Sequence, residues 1–380
     1  MDKRSRAYAA VGAIVGIFLL VQLGALALVT PFKEAGYQAV DDPQDPANSI
    51  AYVFFILVMT GVMLAIIRYD VQWLLRLLLV WTGAYICLYV LTVLVPAVVV
   101  VPIDGFEVNA VAWAGAIALG VALWTYPEWY VIDIAGIVMG AGAAALFGIS
   151  FGVLPALILL TVLAVYDAIS VYGTEHMLTL ASGVMELKVP IVLVVPLSLS
   201  YSYLDAEMPD PKGGKEGAEV TEATDGETVD ASPAAEEGQP AAANGGPAGD
   251  AAAGEAAVEE EGESATDGSP ESDDLSLDRE ALFIGLGDAV IPTVLVASAS
   301  FFAPESVPTV ALPGVTASVP ALTALVGTMV GLVILLRMVL KGRAHAGLPL
   351  LNGGAIAGYL IGSLASGLSL VTALGLDPYL

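Results

Sequence analysis

The chain has 380 residues, 57% of them apolar and only 14% charged, where a soluble domain carries about 25% charged residues. With a mean hydropathy of +0.81, an ordinary soluble domain is excluded. One cysteine, Cys87, rules out an intramolecular disulfide, and two histidines, His176 and His345, argue against a histidine-rich metal site; no metal, cofactor or nucleic-acid partner is expected.

Apolar runs long enough to cross about 30 Å of hydrocarbon at 1.5 Å per residue predict nine spans. In chain order they are Tyr8–Val29, Ile50–Ile67, Trp73–Val98, Val108–Trp124, Val131–Gly148, Val153–Tyr172, Ala281–Phe302, Val315–Leu340 and Leu348–Leu374. The first is too long for a signal-peptide core and lacks a clear small-residue cleavage site, so it reads as a retained span. Val189–Leu199 is apolar but short, and Pro190 and Pro196 remove helix donors, so it reads as interfacial or extended.

Basic residues orient the chain, because cytoplasmic loops are enriched in Lys and Arg. With the N-terminus cytoplasmic and the C-terminus extracytoplasmic, only Lys33 of the 13 basic residues falls on the wrong side. The expected fold is therefore all-α, a multi-pass cell-membrane protein of nine helices. It divides into a six-span group (residues 1–173), a cytoplasmic loop (174–280) and a three-span group (281–380). The loop should be amphipathic or interfacial at first and disordered from about residue 209.

Most of the formal charge of −26 lies in that loop: between Asp205 and Glu280 there are 23 acidic residues against Lys212, Lys215 and Arg279, a net −20. Such a loop solvates itself, and its acidity suits a high-salt cytoplasm such as a halophile's. Two ridges of small residues, Gly136/Gly140/Ala144/Gly148 and Gly354/Gly358/Gly362/Ser366, should let helices approach closely.

Ionisable residues inside spans are costly and rare, so Asp133, Asp167 and Asp288 stand out. Asp133 lies near Tyr126, Glu128 and Tyr130 and reads as an edge or capping residue. Asp167 lies five or six residues before the end of the sixth span, and Asp288 seven residues into the seventh. Each is then roughly 8–11 Å from the cytoplasmic boundary. Two carboxyls at one level in a low-dielectric site share a proton, so one can activate water while the other polarises a carbonyl. The pair titrates as a unit, and the sequence does not divide the roles.

Paired membrane acids also serve proton-coupled transporters or channels, and a scaffold that clamps helices without cutting is a third reading. No internal repeat of the kind transporters show is visible. A zinc protease would need a His-Glu-x-x-His helix, which is missing, and neither histidine is placed for a serine protease.

Val165-Tyr166-Asp167 and Gly285-Leu286-Gly287-Asp288 resemble the YD and GxGD motifs of presenilins and signal peptide peptidases, and residues 166–173 look especially like archaeal presenilin homologues. The resemblance implies an intramembrane aspartyl protease of nine spans, with Asp167 and Asp288 catalytic and a large cytoplasmic loop between them. The substrates implied are single-pass membrane proteins or signal-peptide remnants held in the lipid bilayer. It further implies substrate-binding roles for Tyr166, Gly285, Leu286 and Gly287. The family's Pro-Ala-Leu element corresponds to Pro349-Leu350-Leu351, with leucine in place of alanine. Literal Pro-Ala-Leu at residues 155–157 and 320–322 lies toward the outer ends of spans. Residues 185–189 read as a possible exposed strand for an unwound substrate, or as a plain amphipathic extension.

Overall fold

In the computed structural model the described residues are 3–69, 71–103, 106–172, 192–198, 201–204, 281–340 and 346–379. Among the described residues ten α-helices carry the fold: α1 (Lys3–Glu34), α2 (Ala47–Arg68), α3 (Gln72–Leu94), α4 (Ala110–Thr125), α5 (Trp129–Ser150), α6 (Val153–Tyr172), α7 (Leu286–Phe301), α8 (Val319–Leu340), α9 (Gly347–Ala365) and the short α10 (Leu370–Ala373). Seven of them are long and apolar enough to cross a membrane, and α4 and α7 are shorter apolar helices. Large apolar side chains such as Phe54, Trp73, Trp81 and Ile117 lie on the outside, as a lipid-facing surface requires. The chain is a polytopic, mostly helical membrane protein.

Among the described residues three two-stranded antiparallel sheets replace the ends of several expected spans. They pair β1 (Val100–Ile103) with β2 (Phe106–Asn109), β3 (Val192–Pro196) with β4 (Ala281–Gly285), and β5 (Thr309–Leu312) with β6 (Val315–Ser318). The third span stops at Leu94 instead of running to Val98, because Pro96 forces Val95 into an extended conformation (φ −91°, ψ 119°). The fourth begins at Ala110, where the Asn109 side chain accepts from the Ala112 N–H. The eighth begins at Val319, with Ser318 Oγ accepting from the Ala321 N–H. The last ends at Ala365, just before Gly367 turns the chain at φ +84°. The seventh begins at Leu286, because residues 281–285 are drawn into a strand by pairing with β3, register Val192↔Gly285 to Pro196↔Ala281.

The described part of the ambiguous stretch Val189–Leu199 is thus extended, as its prolines required. Most of the loop 174–280, including residues 185–189 and the acidic stretch, lies outside the described residues.

Both small-residue ridges lie at helix contacts. On α5, a Cβ added to Gly140 would meet Leu286 and Val290 of α7 at 3.2 and 3.4 Å, and one on Gly148 would overlap Ala297. On α9, Cβ atoms at Gly354 and Gly358 would run into the Gly327 and Thr323 carbonyls of α8. Without a hydrophobic drive between helices in lipid, such backbone approach supplies the packing energy. Cys87 is buried in α3 as a free thiol among apolar neighbours.

Candidate active site

Asp167 sits on α6 five residues before the helix ends, and it is only 4% exposed. Asp288 is the third residue of α7 and partly buried. The distance of Asp288 from the start of its helix differs from the expectation, since β4 replaces the first five residues of the seventh span.

The two carboxyls are brought together by the start of α9. The Leu348 N–H donates to Asp167 Oδ2 at 3.1 Å. One residue earlier, a Cβ built on Gly347 would lie 3.3 Å from Asp288 Oδ2 and 3.5 Å from its Cγ. Consecutive residues of one backbone therefore lie beside both aspartates. The first N–H groups of a helix have no internal partner, and the N-cap of α9, Ala346, gives no side-chain cap. Asp167 supplies that acceptor from a different helix. Pro349 removes one further unpaired donor at no cost to the helix.

The expected substrate-binding residues divide into two groups. Tyr166 is 42% exposed on the outer face of α6, and Gly287 is exposed beside Asp288. Gly285 caps α7 in an extended conformation, and a Cβ there would approach Asp288 Oδ2 no closer than 3.6 Å, ordinary contact. Pro349 and Leu350 lie in the first turn of α9, and the Leu350 carbonyl sits on Gly331 of α8, where a Cβ would overlap it. Leu286 and Leu351 are placed differently. Leu286 seats on Gly136 and Gly140 of α5, and Leu351 is fully buried in a cluster with Ile14, Phe18, Ala289 and Leu332. In this arrangement both side chains take part in the packing that seats α7 and α9.

The literal Pro-Ala-Leu elements are away from the site. The Pro155 carbonyl accepts from Ser49 Oγ at the opposite end of α6, and Pro320 packs near Gly362 at the far end of α9.

Sequence reasoning missed two anchors that hold the strand leading to Asp288. Asp133 does not cap α5; Glu128 is the N-cap, accepting from the Trp129 N–H. Asp133 Oδ1 instead accepts from the buried Val194 N–H at 2.8 Å. That N–H turns away from β4, so Asp133 closes the outer edge of β3 together with Pro196, which has no donor. Glu128 also accepts from Ser202 Oγ (2.7 Å) and the Tyr203 N–H (3.0 Å). Burial works to raise the Glu128 carboxyl, but these hydrogen bonds outweigh it and leave it below the ordinary glutamate range. Gly347 was missed as well, and it is the glycine whose missing Cβ the site most plainly needs.

Among the described residues, no group of three or more His, Cys, Asp or Glu could hold a metal ion.

A family model described as signal-peptide peptidase, presenilin aspartyl protease matches residues 15–230 and 248–368. The chain belongs to that family. Two crystal forms of a presenilin family intramembrane aspartate protease, in space groups C222 and P2, share the fold at TM-scores of 0.54 and 0.52. Each is 28% identical to this chain and covers 93% of it, and the match takes in 99% and 97% of those chains. No curated protein matches the sequence. This presenilin-like protein is an intramembrane aspartyl protease, and the transporter or channel reading is without support.

Proposed function

We propose that Asp167 and Asp288 are the catalytic pair of this protease and that its substrates are single-pass membrane proteins or signal-peptide remnants. One observation carries the reading: two adjacent residues adjoin the two carboxyls, the Leu348 N–H donating to Asp167 and Gly347 leaving room where a Cβ would come within 3.3 Å of Asp288. That arrangement supports a pair of carboxyls at one level on neighbouring helices.

The chemistry follows from a shared proton. The ionised carboxyl takes a proton from water as the water oxygen bonds to the peptide carbon, and the protonated one gives its proton to the carbonyl oxygen. Collapse of the tetrahedral diol breaks the C–N bond, with a proton delivered to the departing nitrogen. No bond to the enzyme forms. Tyr166, Gly285, Gly287, Pro349 and Leu350 are the residues we assign to the substrate backbone.

We further infer nine crossings, with the N-terminus cytoplasmic and the C-terminus extracytoplasmic in the cell membrane. Helices α4 and α7 have 16 residues each, about 24 Å, short of the hydrocarbon thickness. Strands β2 and β4 lead directly into them and supply the missing length. The six-span and three-span groups joined by residues 174–280 follow from that count, and the acidic composition suits a high-salt cytoplasm.

The test is cleavage of a single-pass substrate by the purified protein in liposomes, with product masses locating the cut. A cut inside the hydrophobic segment supports the proposal. Cleavage only in the substrate's exposed flanks contradicts it.

A further inference from the structure

Asn352 lies four residues after Leu348 on α9 and is fully buried. Its Nδ2 donates to the Leu160 carbonyl of α6 at 2.9 Å, while its Oδ1 has no hydrogen-bond partner among the described residues. A half-satisfied amide inside a membrane span is a poor device for stability alone, since a leucine of similar size would leave no unpaired acceptor. Its use has to come from the bond it does make.

Hydrogen bonds tie α9 to α6 at Leu348 N–H to Asp167 Oδ2 and at Asn352 Nδ2 to Leu160 O. Their donors are four residues apart on α9, and their acceptors are seven residues apart on α6. Both spacings return to one face of a helix. Sliding α9 along α6 by one residue, about 1.5 Å, would break both bonds together. On its other side α9 meets α8 through glycine and backbone surfaces, Gly327 against Gly354 and Gly331 against Leu350. Those contacts set the distance between the helices but offer no directional latch against sliding.

We propose that Asn352 is a positioning residue for hydrolysis. Its amide fixes the axial register of α9 against α6, and thereby holds Leu348 on Asp167 and Gly347 against Asp288. This rests on the Asp167/Asp288 reading above. Asn352 touches neither aspartate in any described hydrogen bond, so it acts through the backbone of α9. A misplacement of about 1 Å at a reacting centre costs about 10²-fold in rate, so a loosened register should lower turnover far more than binding.

The experiment compares the full-length wild type, Asn352→Leu and Tyr359→Phe in liposomes, measuring kcat, KM and the thermal midpoint with one single-pass substrate. Tyr359 is the matched control, because its hydroxyl also makes one buried bond from α9 to a backbone carbonyl, that of Ala373, away from the aspartates. Asn352→Leu should lose ten- to hundred-fold in kcat with KM within twofold and no lower midpoint than Tyr359→Phe, whose kcat should stay within twofold of wild type. If Asn352→Leu fails to fold, Asn352→Ala is read by the same thresholds. A kcat within twofold of wild type for the Asn352 variant, a change confined to KM, or an equal kcat loss in Tyr359→Phe overturns the proposal. Asp167→Asn and Asp288→Asn run alongside keep the two readings apart: activity in either defeats the pair, whereas two inactive aspartate variants beside a fully active Asn352→Leu defeat only the role of Asn352.

Discussion

Replacing Asp133 with leucine removes the acceptor for the Val194 N–H while keeping an apolar side chain in its place. Val194 is fully buried and Asp133 is 8% exposed, so water does not readily take over the bond. A buried donor left unpaired costs about 1–3 kcal/mol, which is a factor of roughly 5 to 150 in a local opening equilibrium. The loss falls on β3, and through its pairing on β4, which feeds directly into Leu286 and Asp288. Amide hydrogen exchange at Val194 and its strand neighbours should therefore quicken by that factor, while α3 and α8 keep their protection. Activity should fall with it, since α7 loses the anchor for its first turn. Asp133→Asn keeps a carbonyl oxygen to accept the bond and should stay near wild type in both measurements. Unchanged exchange at residues 192–196 in Asp133→Leu would refute the anchoring role.

Gly347→Ala places a Cβ 3.3 Å from Asp288 Oδ2, closer than most such contacts, and should cut kcat by about tenfold with little change in thermal midpoint; wild-type kcat would count against the close approach. Pro349→Ala should lose most activity, Leu350→Ala should keep it and Pro320→Ala should have little effect, all in one cleavage assay at matched concentration; damage from Pro320→Ala alone would misplace the motif. Because the folded-state Glu128 carboxyl is held low, its contribution is complete above the ordinary value of about 4.5 and is lost as pH falls through the lower folded value. Exchange at residues 201–204 should quicken as the medium is acidified below that value, less so in Glu128→Gln; a variant as acid-sensitive as wild type would assign the effect elsewhere.

Helix positions were legible because lipid leaves few alternatives to a run of apolar residues. What misled the reading was the ends. Residues 281–285 are as apolar as the helix they precede, and residues 315–318 join theirs without a charged residue between, so hydropathy cannot tell a paired strand from a first helical turn. Pairing with β3 and with β5 decides those segments; β3 is remote in sequence from β4, whereas β5 adjoins β6 through Pro313-Gly314, a turn signal that hydropathy alone passes over. Asp167 and Asp288 were visible because a carboxyl in a span is conspicuous. Asp133 was equally conspicuous but was assigned to the helix edge, since its partner is a backbone N–H some sixty residues away. Gly347 and Asn352 carried fainter signals. A glycine is common in spans, and one uncharged amide beside Pro349-Leu350-Leu351 does not say which carbonyl it meets. The packing of Leu286 against α5 and of Leu351 in the cluster with α1 was not legible, because it is a property of the assembled bundle.

The central claim is that Asp167 and Asp288 together hydrolyse the peptide bond. Its most direct test is the turnover of a single-pass substrate by purified Asp167→Asn and Asp288→Asn in liposomes, each shown to be folded by its thermal midpoint. Both variants should yield no product above the no-enzyme control. Substantial cleavage by either one would contradict the pair.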